Sequence, residues 1–239
     1  MFTTLNYSPN FDLKKRKNTK INFLIFHYTG MRHEKEAIKK LTSLKSKVSC
    51  HYFVKKNGEI LNLVPDLYIA WHAGISRWKN FSSLNKNSIG IEISNPGHSF
   101  IYDNFTKNQI NSIYKLNKFF TKKYKIKKKN ILGHSDIAPL RKLDPGEKFP
   151  WKYLSKKKIG IWHTLNPQKL KSLRKKKSDV NLVIFLNYLK KIGYCVKYSN
   201  AKELSKIIKI FQMRFRPEII NGKLDFECYE IAKSLKNLK

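Results

Sequence analysis

The stretch NFLIFHY, residues 22–28, predicts the centre of the fold. Its side chains alternate over two faces: Phe23, Ile25 and His27 share one, and Leu24 and Phe26 share the other. Apolar residues on both faces are typical of a strand buried within a sheet. His27 then lies where the strand ends, a position from which a polar side chain can be aimed at a ligand.

Further strands and helices are predicted on the C-terminal side of this strand. A long helix begins at Thr106, whose side chain can cap it while Gln109 closes a capping box three residues later. The other predicted strands are a hairpin at 52–64 that turns at Asn57-Gly58, a buried strand at 88–94 and a short strand at 131–132. This order predicts an α/β fold with a mixed central β-sheet flanked by helices.

The C-terminal third has a different pattern. Residues 155–179 combine lysine runs with Pro167 and show little periodicity, which predicts a linker. Three amphipathic stripes follow, at 182–189, 204–211 and 228–235, and predict a small three-helix domain. We therefore expect two domains, an α/β domain over residues 1–165 and a linker with a helical domain over 166–239.

The composition favours a folded protein with a strongly basic surface. Of the 239 residues 41% are hydrophobic, and the formal net charge is +34. Such a charge attracts anionic partners in general. Arginine is scarce and the lysines are spread along the whole chain, which indicates a general lysine bias and argues against specific nucleic-acid recognition. A nucleic-acid binder is kept as an alternative that predicts salt-dependent, sequence-selective affinity.

Cysteine usage and hydropathy indicate the cellular compartment in which the protein is expected. Cys50, Cys195 and Cys228 are widely separated, a pattern unlike a disulfide framework or a thiolate metal site. No apolar run long enough for a signal-peptide core follows Met1, and no stretch of about eighteen apolar residues could span a membrane. We therefore expect no transmembrane segment and a cytoplasmic location.

Two histidines and an aspartate are candidate metal ligands. His27, His134 and Asp144 each lie at a strand end or in a proline-rich, stiff loop. Two imidazoles and one carboxylate form a typical catalytic zinc set that leaves a fourth position for water, whose pKa zinc lowers to about 7. By residue type alone, a hydrogen-bonded structural role for each histidine stays open.

Glu92 and Lys142 are candidate catalytic residues. Glu92 interrupts the apolar strand at 88–94, where a carboxylate is costly to ionise without a partner. It is either a salt-bridge partner of a lysine or a general base whose pKa is raised by burial. Lys142 lies two residues before Asp144, so an extended loop would point it to the same side, where a cation could stabilise an oxyanion.

Six motifs in order over roughly residues 5–163 resemble the zinc-dependent N-acetylmuramoyl-L-alanine amidases, which share their fold with peptidoglycan-recognition proteins. The motifs are FHYTG at 26–30, VSCHY at 48–52, AWHAG at 70–74, SIGIE at 88–92, GHSDIAP at 133–139, and RKLDPG at 141–146 with FPW at 149–151. The resemblance implies a zinc hydrolase that acts on the amide between N-acetylmuramic acid and the L-alanine of peptidoglycan stem peptides.

The same resemblance implies a role for each site residue. Glu92 matches the catalytic carboxylate and Lys142 the lysine that assists the tetrahedral intermediate. His72 lies in the motif that lines the cleft, either facing the substrate or supporting another site residue. The zinc ligands implied are His27, His134 and Asp144.

The sequence leaves alternatives open for the role of the C-terminal segment and for the substrate. FQMRFRP at 211–217 and NGKLD at 221–225 resemble peptidoglycan-binding helical domains, although Phe211, Met213 and Phe215 suit a core better than a ligand surface. The substrate is either a small 1,6-anhydro-muropeptide in the cytoplasm or the intact wall in the periplasm or envelope. A noncatalytic peptidoglycan-recognition module is the alternative function, and it predicts a missing metal ligand.

Overall fold

A computed structural model of the chain describes residues 4–176 and 179–238. The strands are β1 (Thr4–Leu5), β2 (Phe11–Asp12), β3 (Phe23–Tyr28), β4 (Tyr52–Val54), β5 (Ile60–Asn62), β6 (Ile69–Ala70), β7 (Arg77–Trp78), β8 (Phe81–Ser82), β9 (Ser88–Ile93) and β10 (Ile131–Gly133). The helices are α1 (Glu34–Thr42), α2 (Lys107–Tyr124), α3 (His134–Ile137), α4 (Trp151–Lys156), α5 (Pro167–Lys175), α6 (Leu182–Ile192), α7 (Ala201–Phe215) and α8 (Phe226–Lys236). None of these helices is both long and apolar enough to cross a bilayer.

The central sheet is mixed, which confirms the predicted fold class. Its strand order is β1-β5-β4-β9-β3-β10. Strand β3, which carries His27, runs parallel to β9 on one side and to β10 on the other. The hairpin β4–β5 supplies the antiparallel pair.

The two faces of the sheet are covered by different helices. Leu24, Phe26 and the isoleucines of β9 pack against α2, whose predicted capping box of Thr106 and Gln109 is present. On the opposite face Phe23 and Ile25 belong to a hydrophobic cluster that extends to α6, α7 and α8. Helix α1 covers the β4–β5 end of this second face. The second face is the one that carries His27, because its side chain alternates with those of Phe23 and Ile25.

The segment predicted as a linker contains helix α5, which the sequence pattern did not predict, and its role as a linker stays a prediction. Helix α5 begins at Pro167, and the side chain of Asn166 caps it by accepting from the Lys169 N–H. Arg174 near its end donates to both carboxylate oxygens of the fully buried Glu227 on α8. Periodicity did not reveal α5, since no residue of this helix is fully buried.

One hydrophobic cluster joins the C-terminal helices to the sheet. It extends from Phe23, Ile25 and Leu132 of the sheet to Phe211 and Phe215 of α7. Phe211, Met213 and Phe215 are buried, as a core role predicts. The division at residues 165 and 166, and a wall-binding role for the second part, stay predictions.

Buried polar contacts reinforce this junction close to a candidate metal ligand. Asp136 accepts from the Gly133 N–H at 2.7 Å and therefore closes the turn that carries His134. Its carboxylate also accepts from the Arg214 guanidinium of α7 and the Tyr194 hydroxyl. Two residues of the helical part thus hold the turn that orients His134.

We expect Tyr194→Phe to lower the free energy of unfolding by about 1–3 kcal/mol, because a buried carboxylate oxygen of Asp136 loses its donor. Urea denaturation measures this change. Tyr188→Phe is the matched control: its hydroxyl lies 3.3 Å from that of Tyr229 at a partly exposed site, and its loss should cost no more than about 0.5 kcal/mol. Equal costs for the two variants would contradict a special contribution from Asp136.

His51 is a buried structural histidine behind strand β9. Its Nδ1 accepts from the Gly90 N–H at 3.0 Å, and the Arg16 guanidinium lies 2.9 Å from its Nε2. Burial, together with the charge of Arg16, lowers the pKa of His51 to about 3. A proton on Nδ1 would also break the bond to Gly90, so the folded protein keeps this ring neutral.

Stability should therefore fall as the pH falls from about 6.5 towards 3. Across this window the unfolded chain binds a proton at His51 that the folded chain does not, which contributes about 1.4 kcal/mol per pH unit. Urea denaturation between pH 7 and 4 should give a shallower dependence for His51→Gln than for the exposed-site variant His33→Gln. Parallel curves for the two variants would show that His51 does not contribute.

Candidate metal centre and catalytic cleft

Strand register brings the candidate residues together at one end of the sheet. His27 on β3 pairs directly with Glu92 on β9, so both side chains lie on the same face. Strand β10 ends at Gly133 opposite Phe26, which places His134 beside His27. The loop after α3 then returns Asp144 to the same point, where its carbonyl accepts from the Ser135 N–H.

His27, His134 and Asp144 form a tight triangle of donor atoms. Nδ1 of His27 lies 2.9 Å from Nδ1 of His134, and each nitrogen lies 3.0 Å from Oδ2 of Asp144. All three residues are buried. Ligand atoms around a tetrahedral ion with bonds of about 2.0–2.2 Å lie about 3.3–3.6 Å apart, so shifts of about half an ångström would seat such an ion. The three predicted ligands therefore fit a metal site.

The charges of the triangle also suit a cation. Burial, reinforced by His134, lowers the pKa of His27 to about 4, so its imidazole is neutral near pH 7. Burial alone would raise the pKa of Asp144, but His134 and His27, when protonated, attract its negative charge and hold that pKa below its ordinary value. Neutral imidazole and ionised carboxylate are the protonation states that metal binding requires.

A chain of hydrogen bonds behind His27 selects its tautomer. The Ser88 hydroxyl donates to the Leu84 carbonyl at 2.6 Å, so it accepts from Nε2–H of His72 at 3.1 Å. Nδ1 of the neutral His72 is then an acceptor, and Nε2–H of His27 donates to it at 3.0 Å. The lone pair of His27 is left on Nδ1, the atom that faces His134 and Asp144.

His134 is oriented in the same way from the other side. Its Nε2–H donates to the Ala73 carbonyl at 3.0 Å, which leaves Nδ1 as the free lone pair. The Arg141 guanidinium donates to the same carbonyl and to the Ile75 carbonyl, both at 2.9 Å. Outer contacts of this kind hold metal-binding imidazoles in one orientation.

Gly90 makes the position of His72 possible. A Cβ at residue 90 would lie 2.3 Å from the His72 ring, so any residue other than glycine at this position would clash with that ring. Both ring nitrogens of His72 are engaged with His27 and Ser88. Of its two predicted roles, the contacts favour support of another site residue over direct recognition of substrate. Ser88 itself was missed, although it alternates with Gly90 and Glu92 on one strand face.

Glu92 has the environment of a general base. The residue is partly buried, and its Oε2 is buried with no hydrogen-bond partner in the described part of the chain. Burial and the nearby charge of Asp144 raise its pKa well above the ordinary value, against a smaller opposing effect of Lys142. A salt bridge with a lysine, the other predicted role, is not formed among the described residues.

A cavity of about 350 Å³ opens over the triangle. Ala37, Lys40 and Leu41 of α1 line one wall, and the 141–144 loop lines the other. Lys142 is partly buried and belongs to this second wall, on the same loop as Asp144. The cleft therefore collects an acid–base group, a cation and a set of metal donors, as expected for a hydrolase.

Comparisons with known proteins agree with this arrangement. The family model described as N-acetylmuramoyl-L-alanine amidase matches residues 17–147, a range that includes every candidate site residue named above. N-acetylmuramoyl-L-alanine amidase AmiD of Escherichia coli strain K12 is 37% identical over 233 residues, which cover 90% of this chain and 82% of that protein.

Two solved structures resemble nearly the whole chain. AmiD from Escherichia coli, in complex with the substrate anhydro-N-acetylmuramic acid-L-Ala-D-γ-Glu-L-Lys, has a TM-score of 0.81 at 35% identity and covers 94% of this chain and 91% of its own. AmpDh3 from Pseudomonas aeruginosa, in complex with anhydromuramic pentapeptide, has a TM-score of 0.82 at 30% identity. The match covers 98% of this chain and 97% of AmpDh3. The chain therefore belongs to the N-acetylmuramoyl-L-alanine amidase family.

Proposed function

We propose that this protein hydrolyses the amide between the lactyl group of N-acetylmuramic acid and L-alanine in 1,6-anhydro-muropeptides, as a zinc enzyme of cell-wall turnover. The observation that carries the proposal is the register of β3 and β9, which sets the unpartnered carboxylate of Glu92 beside three convergent donor atoms. The anhydro form is favoured because both solved relatives above bind anhydromuramyl peptides.

The donor set suits zinc better than magnesium or calcium. Two imidazole nitrogens and one carboxylate oxygen are typical of zinc, whereas magnesium and calcium prefer oxygen donors alone. We assign His27 Nδ1, His134 Nδ1 and Asp144 Oδ2 as its ligands. When bound, zinc would supply a Lewis acid beside Glu92.

The chain's own residues would perform the proton transfers. Glu92 takes a proton from the attacking water as the oxygen bonds to the lactyl carbonyl carbon. Lys142 holds the negative charge that develops on the carbonyl oxygen. As the C–N bond breaks, Glu92 returns the proton to the leaving amine of L-alanine. The raised pKa of Glu92 suits the first half of this cycle, because a base that binds protons more tightly accepts them more readily.

Hydrolysis in oxygen-18 water tests the proposed bond directly. A 1,6-anhydro-N-acetylmuramyl tripeptide should yield the anhydro sugar and the free peptide, and mass spectrometry should find the heavy oxygen in the lactyl carboxylate only. Label in the peptide, or cleavage within it, would overturn the proposal. A noncatalytic recognition module would bind the substrate and release neither product. Intact peptidoglycan in a parallel digest compares the two substrate classes.

We expect Lys142→Met to lower kcat about a hundredfold with little change in KM, because the cation acts on charge that is present only in the transition state. The matched control is Lys40→Met, which removes an exposed lysine from the opposite wall of the same cleft and should change kcat less than about threefold. Steady-state kinetics at constant zinc content measures both. Equal losses would mean that Lys142 acts only through the general charge of the cleft.

A further inference from the structure

Arg214 of helix α7 is buried where the C-terminal helices meet the sheet, far along the chain from the candidate metal ligands. One terminal nitrogen of its guanidinium donates to a carboxylate oxygen of Asp136. The other terminal nitrogen donates to the Ile131 carbonyl at 3.0 Å. The indole of Trp151 supports the guanidinium, whose central carbon lies 3.7 Å from the ring centroid. These contacts hold the Arg214 side chain in one orientation.

The two acceptors of Arg214 lie on either side of His134 in the sequence. Ile131 begins strand β10, three residues before His134, and Asp136 follows His134 by two residues. The guanidinium therefore bridges both ends of the segment that carries this ligand. Asp136 also accepts from the N–H of Gly133, the residue directly before His134. A shift of Asp136 would therefore be transmitted to the backbone that orients the imidazole.

The same turn is in contact with the loop that carries another ligand, Asp144. The Ser135 N–H donates to the Asp144 carbonyl at 2.8 Å. Gly133 packs so closely against Pro145 that a Cβ at residue 133 would lie 2.6 Å from the proline Cδ. The residues before and after His134 thus contact the backbone at Asp144 and Pro145. Displacement of this turn would change the positions of two of the three ligands.

We propose that Arg214 is a positioning residue of the metal centre and that, through Asp136, the C-terminal helices hold His134 and Asp144 in place for zinc. The assignment rests on the zinc function proposed above. Metal binding requires ligand distances within about 0.2 Å of their ideal values, so a small displacement of the turn weakens it. A chain without the Arg214 contact would keep all three ligands and bind zinc less tightly.

The zinc affinity of the full chain measures this role directly. Metal-free protein is titrated with zinc in competition with a chromogenic chelator, at a temperature well below the Tm of each variant. We expect Arg214→Met to bind zinc about 10–100-fold more weakly than the unmodified protein, as is typical for the loss of an outer contact at a metal site. Methionine keeps apolar contact with Trp151 but cannot donate to Asp136 or Ile131.

Arg216→Met is the matched control, two residues further along the chain. Arg214 and Arg216 are 4% and 1% exposed, and both form buried ion pairs. Arg216 pairs with Asp225 and Glu227, which belong to the C-terminal helices, and none of its side-chain hydrogen bonds in the described part of the chain reaches the His134 turn. Zinc affinity should therefore stay within about threefold of that of the unmodified protein. Equal losses in the two Met variants would come from general destabilisation and would overturn the proposal.

Two Lys variants carry the comparison if the loss of a buried charge prevents a Met variant from folding. Arg214→Lys keeps a cation beside Asp136, but one ammonium replaces the planar fork that spans Asp136 and Ile131. We expect it to bind zinc about fivefold more weakly than the unmodified protein and more tightly than Arg214→Met. Arg216→Lys should stay within about twofold. Where the Met variants do not fold, equal zinc affinities of the two Lys variants would overturn the proposal.

A spectroscopic readout adds a measurement that does not depend on activity. Cobalt(II) bound in place of zinc reports the ligand geometry through its visible absorption. We expect Arg214→Met to alter this spectrum and Arg216→Met to leave it unchanged; the same alteration in both variants would contradict a specific role for Arg214.

The unmodified protein distinguishes failure of this assignment from failure of the proposed function. If it bound no zinc, the proposed function and the assignment would both be overturned. If it bound zinc and hydrolysed muropeptide, but Arg214→Met bound zinc with the same affinity, only the assignment would be overturned.

Discussion

Replacement of Glu92 by Gln is expected to reduce muropeptide turnover about a thousandfold while the protein keeps its metal. The neutral amide has nearly the shape of the carboxylate but cannot accept a proton from water, and loss of a general base costs about 10²–10⁴ in rate. Stability should be unchanged or higher, because the amide removes a carboxylate that burial and Asp144 make costly to ionise. Single-turnover kinetics, metal analysis and thermal melting give the three readouts.

Glu147→Gln is the matched control for this variant. Glu147 is a partly buried carboxylate that pairs with His98 at 2.9 Å and does not line the cleft. Its replacement should leave turnover within about threefold of the unmodified protein, since a partly exposed ion pair is weak. If Glu92→Gln retained more than a tenth of the activity with full metal content, Glu92 would not be the base.

Removal of the metal is expected to abolish hydrolysis and to lower stability together. Without a cation, two imidazoles and a carboxylate remain buried with their donor atoms 2.9–3.0 Å apart. Free metal at about a thousand times its Kd adds about 4 kcal/mol to the free energy of unfolding, so chelation should lower Tm by about 8–16 °C. Readdition of one equivalent of zinc should restore both properties.

Two variants distinguish the contribution of the metal from that of Glu92 in the chelation experiment. Asp144→Asn should bind zinc weakly and respond little to chelation, because the neutral amide is a poor ligand. Glu92→Gln should lose stability on chelation as much as the unmodified protein does, although it is inactive throughout. Full activity after complete removal of the metal would end the zinc mechanism.

Much of the site could be predicted because its residues occur in local patterns. The alternation in NFLIFHY places His27 at a strand end, and the alternation around Glu92 places that carboxylate on the strand face opposite the isoleucines. The ordered motifs that resemble the amidase family then connect these positions with His134, Lys142 and Asp144. The structure brings all five to one cleft.

Other parts of the site depend on contacts between distant segments. The tautomer of His27 follows from Leu84, Ser88 and His72, and no local pattern links these residues. The turn that carries His134 is held by Tyr194 and Arg214 from the helical part. Helix α5 depends in the same way on a buried partner, Glu227, in a helix about fifty residues away.

The amino-acid sequence alone determined five of the six strands of the central sheet, the longest helices and the candidate chemical groups, because periodicity, capping and residue type are local properties. Only the tertiary structure decided which nitrogen of each imidazole is free and that His72 lies within hydrogen-bond distance of His27. These features depend on distances between segments that are far apart in the chain, and strand register and core packing set those distances.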